Sequence, residues 1–206
     1  GGFGSAPKFP SPQNLLFLLE YHRYTGDPLA LHMAEHTLTC MYRGGIFDHI
    51  GGGFCRYSTD ARWQVPHFEK MLYDNALLVY TYAEAYARTG NALYRIAAER
   101  TADYVIRELG SPTGGFFSSQ NADSDGEEGK YYALTPDEVE SVLGKNDAQV
   151  FCLHYRITPS GNFEGRNIPN LIGEDSPQED SELMSDLRAD IYRFRLERSR
   201  LSRDEK

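Results

Sequence analysis

Apolar residues recur at steps of three and four through several stretches of this chain, and helix start and stop signals bracket each stretch. Residues 1–10, GGFGSAPKFP, read as an extended entry segment. Ser11-Pro12 offers a capping hydroxyl and then proline at the first helical position, where its missing N–H costs nothing. A helix is predicted from there to Thr25-Gly26, and Asp27-Pro28 starts a second that runs to Gly44-Gly45. Pro66 is predicted to open a third, with Leu72, Ala76, Val79, Ala83 and Tyr86 as its apolar stripe, ending at Thr89-Gly90. A fourth is expected from about Ala92 to Leu109. Thr135-Pro136-Asp137-Glu138 is a capping box, so a short helix is predicted over roughly 136–144. Residues 158–180 are turn-rich, with Pro159, Gly161, Gly165, Pro169, Gly173 and Pro177. A last helix is predicted over about 181–201, with Leu183, Leu187, Ile191 and Phe194 on one side.

The pattern repeats. Thr25-Gly26-Asp27 matches Thr89-Gly90-Asn91, and Glu20, Leu29, Ala34, Glu35 and Thr37 match Glu84, Leu93, Ala98, Glu99 and Thr101 at the same offset. Each unit closes on a Gly-Gly-apolar-Phe turn, Gly44-Gly45-Ile46-Phe47 and then Gly114-Gly115-Phe116-Phe117. Helix pairs of this kind bury their faces on neighbouring pairs. The expected class is therefore all-α: antiparallel helical hairpins in an open solenoid or a closed α/α toroid. Hairpin units fall at about 11–66 and 67–135, with a remainder at 136–206.

Chemistry-bearing residues concentrate in the glycine-rich stretch Gly44–Asn75. With Pro66 opening a helix, His67, Lys70 and Asp74 would share one face, and Glu69 and Tyr73 the next row. A histidine, a lysine and carboxylates there suit general acid–base chemistry on a polar substrate. The structural alternative is that they cap the helix and pair with Arg56 or Arg62. Asp48 and His49, across the glycines, either converge on the same place or end the second helix. Trp63, the single tryptophan, would give sugar rings a platform with Tyr57 and Phe54, or else sit in the core. Asn121-x-Asp123-x-Asp125-Gly126 opens like a calcium loop, but Tyr132 stands where the twelfth-position glutamate belongs. It reads as a short β-hairpin or an irregular loop with an acidic tip. Asp123 and Asp125 are either part of a solvated acidic turn or, since the repeat puts both glycine-rich excursions at one end of the hairpin stack, a carboxylate set that feeds the same cavity as His67.

Composition narrows the function classes. A net charge of −9 over 206 residues argues against nucleic acid as a partner. Three cysteines without a Cys-x-x-Cys form no disulfide framework, and His49, Cys55 and His67 match no familiar metal spacing, so neither a metal nor another cofactor is expected. No apolar run reaches membrane-spanning length. A reducing, cytoplasmic location fits these readings.

GGFGSAPKFP, GGIFDHIGGGFCRYSTDARWQVPHFEKMLYDNALL, NADSDGEEGKYYALT and ITPSGNFEG together resemble one family over about residues 1–170. It is the family of thioredoxin-domain-containing, spermatogenesis-associated proteins and their bacterial relatives. The resemblance implies a thioredoxin-like domain, which this chain lacks, followed by an α/α toroid similar to N-acylglucosamine 2-epimerases and six-hairpin glycosidases. It also implies that the chain is about the N-terminal half of the toroid, that the second half and the thioredoxin-like domain are its partners, and that an isolated half self-associates. The activity so implied is sugar epimerase- or isomerase-like, or glycosidase-like. Asp48, His49, His67, Glu69, Asp74, Asp123 and Asp125 are the candidate catalytic groups, and Arg56, Tyr57, Trp63, Lys70, Tyr73 and Asn75 the candidate substrate contacts. The alternative is a non-catalytic toroid that binds a glycan or peptide beside a redox domain.

Overall fold

A computed structural model describes residues 1–173 and 181–204. Two helical hairpins come first: α1 (Pro12–Thr25) with α2 (Pro28–Arg43), then α3 (Leu72–Thr89) with α4 (Ala92–Tyr104), which runs on into a π-helical turn at Val105–Leu109. The corners repeat bond for bond. Gly26 and Gly90 take the left-handed conformation, at φ 72° and 68°, that lets each helix stop on a glycine. Asp27 then accepts the N–H of Leu29, and Asn91 that of Leu93. The Thr25 and Thr89 hydroxyls brace the two corners identically. Arg88 ties the hairpins together by bonding both Glu20 and its repeat mate Glu84.

The chain continues through α5 (Pro136–Leu143), α6 (Lys145–His154) and α7 (Glu182–Arg198). The capping box at Thr135 and Glu138 forms as expected. The Ser11 cap does not: Ser11 is left-handed, at φ 46°, and its hydroxyl caps nothing. Helix α6 follows so closely on Gly144 and buries so few side chains, Ala148 and Phe151, that its sequence carries little period. Pro177 and the rest of 174–180 lie outside the described residues.

Short strands sew the excursions together. β1 (Tyr57–Ser58) pairs with β2 (Pro66–His67), β3 (Lys70–Met71) with β4 (Ser119–Gln120), and β4 with β7 (Arg203–Asp204), all antiparallel. β5 (Asp123–Ser124) and β6 (Glu127–Glu128) form a hairpin. Asp125 and Gly126 turn it with φ of 54° and 79°, the left-handed pair that an Asp-Gly corner favours. The strands form no closed barrel among the described residues, and no described helix is long and apolar enough to cross a membrane.

Two further expectations are corrected. Pro66 opens no helix: pairing with β1 claims its backbone, and α3 begins only at Leu72. From Pro66 to Lys70 burial alternates, with Pro66, Phe68 and Lys70 inside and His67 and Glu69 half-buried, the period of a strand. The apolar stripe of α3 is also displaced. Ala76, Ala83 and Tyr86 are exposed, whereas Asn75, Leu78, Thr81, Tyr82 and Ala85 face inward. That helix is apolar nearly all round, so several stripes fit it. Asn75 selects the true one, because its side chain bonds both backbone groups of Phe54 and the carbonyl of Met71.

Apolar burial falls into two clusters. One joins both hairpins with Phe47, Phe54, Trp63, Phe68 and Tyr132. The other gathers Ile50, Leu134, Val139, Phe151, Tyr155, Met184, Leu187 and Ile191 around α5, α6 and α7. Burying each large apolar side chain contributes roughly 1.5–3 kcal/mol. Asp48 sits in sequence between Phe47 of the first cluster and Ile50 of the second.

Candidate functional site

The candidate residues divide into an inner and an outer group. Strand alternation makes the division: Lys70 points in, while His67 and Glu69 point out.

The inner group is a buried polar staple. The Asp48 carboxylate accepts both arms of Arg195, at 2.9 and 3.0 Å, and the Lys70 ammonium at 2.9 Å. Its Oδ1 also accepts the N–H groups of Ile50 and Gly51, which closes the glycine turn. Lys70 lies 4.4 Å from the Tyr104 ring centroid and 5.0 Å from that of Tyr132, and Arg195 packs on Tyr131 and Tyr132. Burial alone would raise the Asp48 pKa, but Arg195 and Lys70 outweigh it and hold the carboxyl well below its usual range. Burial pulls Lys70 down, against the attraction of Asp48. Asp48 therefore works as a fixed anion.

His49 is 1% exposed. It sets its Nε2 at 3.2 Å from the Gly44 carbonyl, and since a carbonyl only accepts, that nitrogen carries the proton. Burial, with Arg100 beside it, lowers its pKa to about 3, so it is neutral at physiological pH. The cavity that His49 lines with Asp48, Cys55, Phe68 and Tyr132 holds about 10 Å³, room for one water. Trp63 is also 1% exposed and takes the ammonium of Lys8 on its ring face, 4.8 Å from the centroid. It is a core residue in this structure and offers no open face to a sugar. Asn75 is fully buried.

The outer group is open to solvent. His67 Nδ1 lies 2.7 Å from Glu128 Oε1, its Nε2 lies 3.8 Å from Glu69 Oε2, and Tyr57 stacks on its ring at 5.0 Å. Glu69 in turn pairs with Arg56 at 3.0 Å. Burial works against the charge of Arg56, yet Tyr73 and Glu69 hold its pKa above the ordinary value. Asp74, on the first turn of α3, is raised to about 6 by burial and by Glu69, with Arg56 opposing.

Two functional candidates escaped the sequence reading. Glu128, not Asp123 or Asp125, is the hairpin residue that meets His67. The Asp125-Gly126 corner was the available signal, since a two-residue turn there sets Glu128 opposite Asp123. Asp125 bonds Lys130 at 3.4 Å and Ser199 at 3.3 Å, and Asp123 is exposed. Arg195 had no local signal: it lies 147 residues from Asp48 in sequence, on a face of α7 that otherwise reads as apolar.

No group of three or more His, Cys, Asp or Glu among the described residues has the geometry to hold a metal ion.

No protein-family model matches the chain. Over 188 residues it is 45% identical to spermatogenesis-associated protein 20 of Homo sapiens, covering 82% of this chain and 24% of that protein. The Mus musculus protein of that name is 44% identical over 189 residues, with the same shares covered. The chain is a homologue of spermatogenesis-associated protein 20. It spans about a quarter of the length of these curated relatives. An uncharacterized protein of Caenorhabditis elegans is 32% identical, covering 82% of this chain and 26% of that protein.

Among solved structures, cellobiose 2-epimerase from Spirochaeta thermophila superposes with a TM-score of 0.52 at 21% identity, covering 59% of this chain and 33% of that one. A sugar epimerase from a ruminal bacterium gives 0.52 at 15% identity, covering 70% and 41%. At such identities the likeness shows the fold alone: these are α/α-toroid hairpins. The family resemblance and the fold class read from the sequence agree with these findings.

Proposed function

We propose that this stretch is part of a carbohydrate-active domain of the sugar epimerase or isomerase kind, with its reacting edge at the outer group. The observation that carries the reading is the pairing of His67 with Glu128 at 2.7 Å, connected through Glu69 and Arg56 to Asp74, whose carboxyl burial raises to about 6. Moving the proton alpha to a sugar carbonyl needs one group that takes a proton and one that returns it. His67, oriented by Glu128, fits the first role and Asp74 the second. Arg56, Tyr57 and Glu69 then bond the sugar hydroxyls. The two solved sugar epimerases support the reading through their fold.

The test is deuterium wash-in at C2 of aldoses incubated in D2O with the full-length protein, followed by proton NMR. Wash-in is expected with the wild type and to fall by about 10²–10⁴-fold in His67→Ala, while Asp123→Asn leaves it unchanged. Wash-in that survives His67→Ala would remove the histidine from this role.

One observation favours a second reading, a glycan- or peptide-binding toroid without chemistry. The cavity beside Asp48 and His49 admits about one water, so the interior half of the loop is built for rigidity. Saturable sugar binding with no wash-in would move the function there.

A further inference from the structure

In this acidic chain, arginines gather at a pocket that the outer group does not line. The pocket measures about 330 Å³ and is lined by Glu108, Gln120, Tyr131, Leu196, Arg200, Leu201 and Arg203, so it opens between the end of α7, β4 and β7. Glu108, Gln120 and Tyr131 also line a small inner cavity of about 10 Å³ that leads on to Asp48, Lys70 and Arg107.

The two carboxylates along this line are already engaged. Glu108 is bonded by Arg107 at 3.0 Å, by Arg203 at 2.9 Å and by the Tyr192 hydroxyl, and Asp48 is neutralised by Arg195 and Lys70. Four cations (Lys70, Arg107, Arg200 and Arg203) thus line the two cavities with two anions, and Arg195 bonds one of those anions from outside them, in a chain whose net charge is −9. Arg200 is exposed and makes no hydrogen bond or ion pair among the described residues. An uncommitted guanidinium on the lining of a pocket that also carries two leucines has the chemistry to pair with the anionic head of a small solute.

We propose that this pocket binds a small anionic solute, a phosphate ester or a carboxylate, with Arg200 as the residue that recognises the charged group and Arg203 and Gln120 beside it. The site is separate from the outer group and stands or falls independently of it.

The test is isothermal titration of the full-length protein with inorganic phosphate, glucose 6-phosphate, glucuronate and neutral glucose, repeated with Arg200→Gln and Arg200→Lys. Circular dichroism checks that both variants fold, which is expected for changes at an exposed side chain. At least one anion is expected to bind, neutral glucose not to, and added salt to weaken the binding. Arg200→Gln should weaken it by about tenfold or more and Arg200→Lys by less. Phosphate and glucose 6-phosphate binding without glucuronate would assign the head as a phosphate, and the converse as a carboxylate. His67→Ala should leave the titration unchanged. Silence from all three anions, or equal binding to Arg200→Gln, would overturn the proposal.

Discussion

Replacing Asp48 with asparagine tests whether the most conspicuous carboxylate of the glycine loop is structural. Asparagine has nearly the same shape and keeps one side-chain oxygen, so the N–H groups of Ile50 and Gly51, which bond Oδ1, retain an acceptor. What disappears is charge. Arg195 and Lys70, each 1% exposed along the side chain, are left as buried cations without a counter-ion. Breaking a buried pair in this way costs about 3–5 kcal/mol. For a domain of this size that lowers the melting temperature by roughly 6–20 °C. Urea unfolding can be followed by the fluorescence of Trp63, the single tryptophan and a buried one. Protein concentration should be varied about tenfold in parallel, since association shifts apparent stability. Arg195→Met in the Asp48→Asn background supplies the control. It removes one of the stranded cations, so the double variant should be more stable than the summed single effects, with a coupling of about 1–3 kcal/mol. A loss below about 1 kcal/mol for Asp48→Asn, with no coupling to Arg195, would refute the staple and return Asp48 to the catalytic candidates.

Two further predictions concern pH. His49 is held neutral, with its pKa lowered to about 3 against about 6.5 in the unfolded chain. Its contribution is complete above the unfolded value and fades as pH falls towards 3, by up to about 1.4 kcal/mol per pH unit. His49→Gln should flatten that acid limb in denaturation curves taken from pH 7 to 4, and an unchanged slope would count against the buried neutral imidazole. Asp74 has the opposite sign. Its pKa is raised to about 6 from about 3.9 unfolded, so its contribution is present below the unfolded value and is lost as pH rises through 6. Asp74→Asn should therefore stabilise the protein at pH 8 by about 1 kcal/mol after solvent screening and change little at pH 4. Equal effects at both values would contradict the raised carboxyl.

Local signals carried most of the fold. The corners at Gly26 and Gly90 and the caps at Asp27, Asn91 and Thr135 are decided by residues within a turn of each other, which is why they were legible. The errors share the opposite cause. Pro66 is a good helix starter in isolation, and only pairing with Tyr57 and Ser58 makes it a strand residue. Pro66-His67-Phe68-Glu69-Lys70 did carry a period of two, but Lys70 counts as a polar residue in any pattern. It counts as an inward one only because Asp48 and the Gly52 carbonyl wait for it. Asn75 misled in the same way: a polar side chain defines the buried face of α3 because it bonds the backbone of Phe54. On α7, Phe194 is only partly buried while its neighbour Arg195 is fully so. In each case the decisive partner is distant in sequence, and hydrophobic periodicity sees only neighbours.

The same long-range bonds explain why the candidate residues part company. A loop with Gly51, Gly52 and Gly53 in succession has little apolar surface of its own to fix it. Gly52 and Gly53 take φ of 81° and 79°, and a Cβ on either would strike Arg100 or Tyr104, so the loop packs tightly but needs a polar anchor. Asp48 provides one, and through Arg195 it also fastens α7, and with it the second apolar cluster, to the first. A carboxylate committed to two cations and two backbone amides is a poor proton acceptor, and a histidine buried with a pKa near 3 is a poor shuttle. Rigidity of the inner half in turn sets the strand that turns His67 and Glu69 outward and brings the first excursion against Glu128 of the second. The sequence repeat thus has unequal products: its first glycine excursion supplies the scaffold and one side of the outer cluster, and its second supplies the carboxylate that orients the histidine.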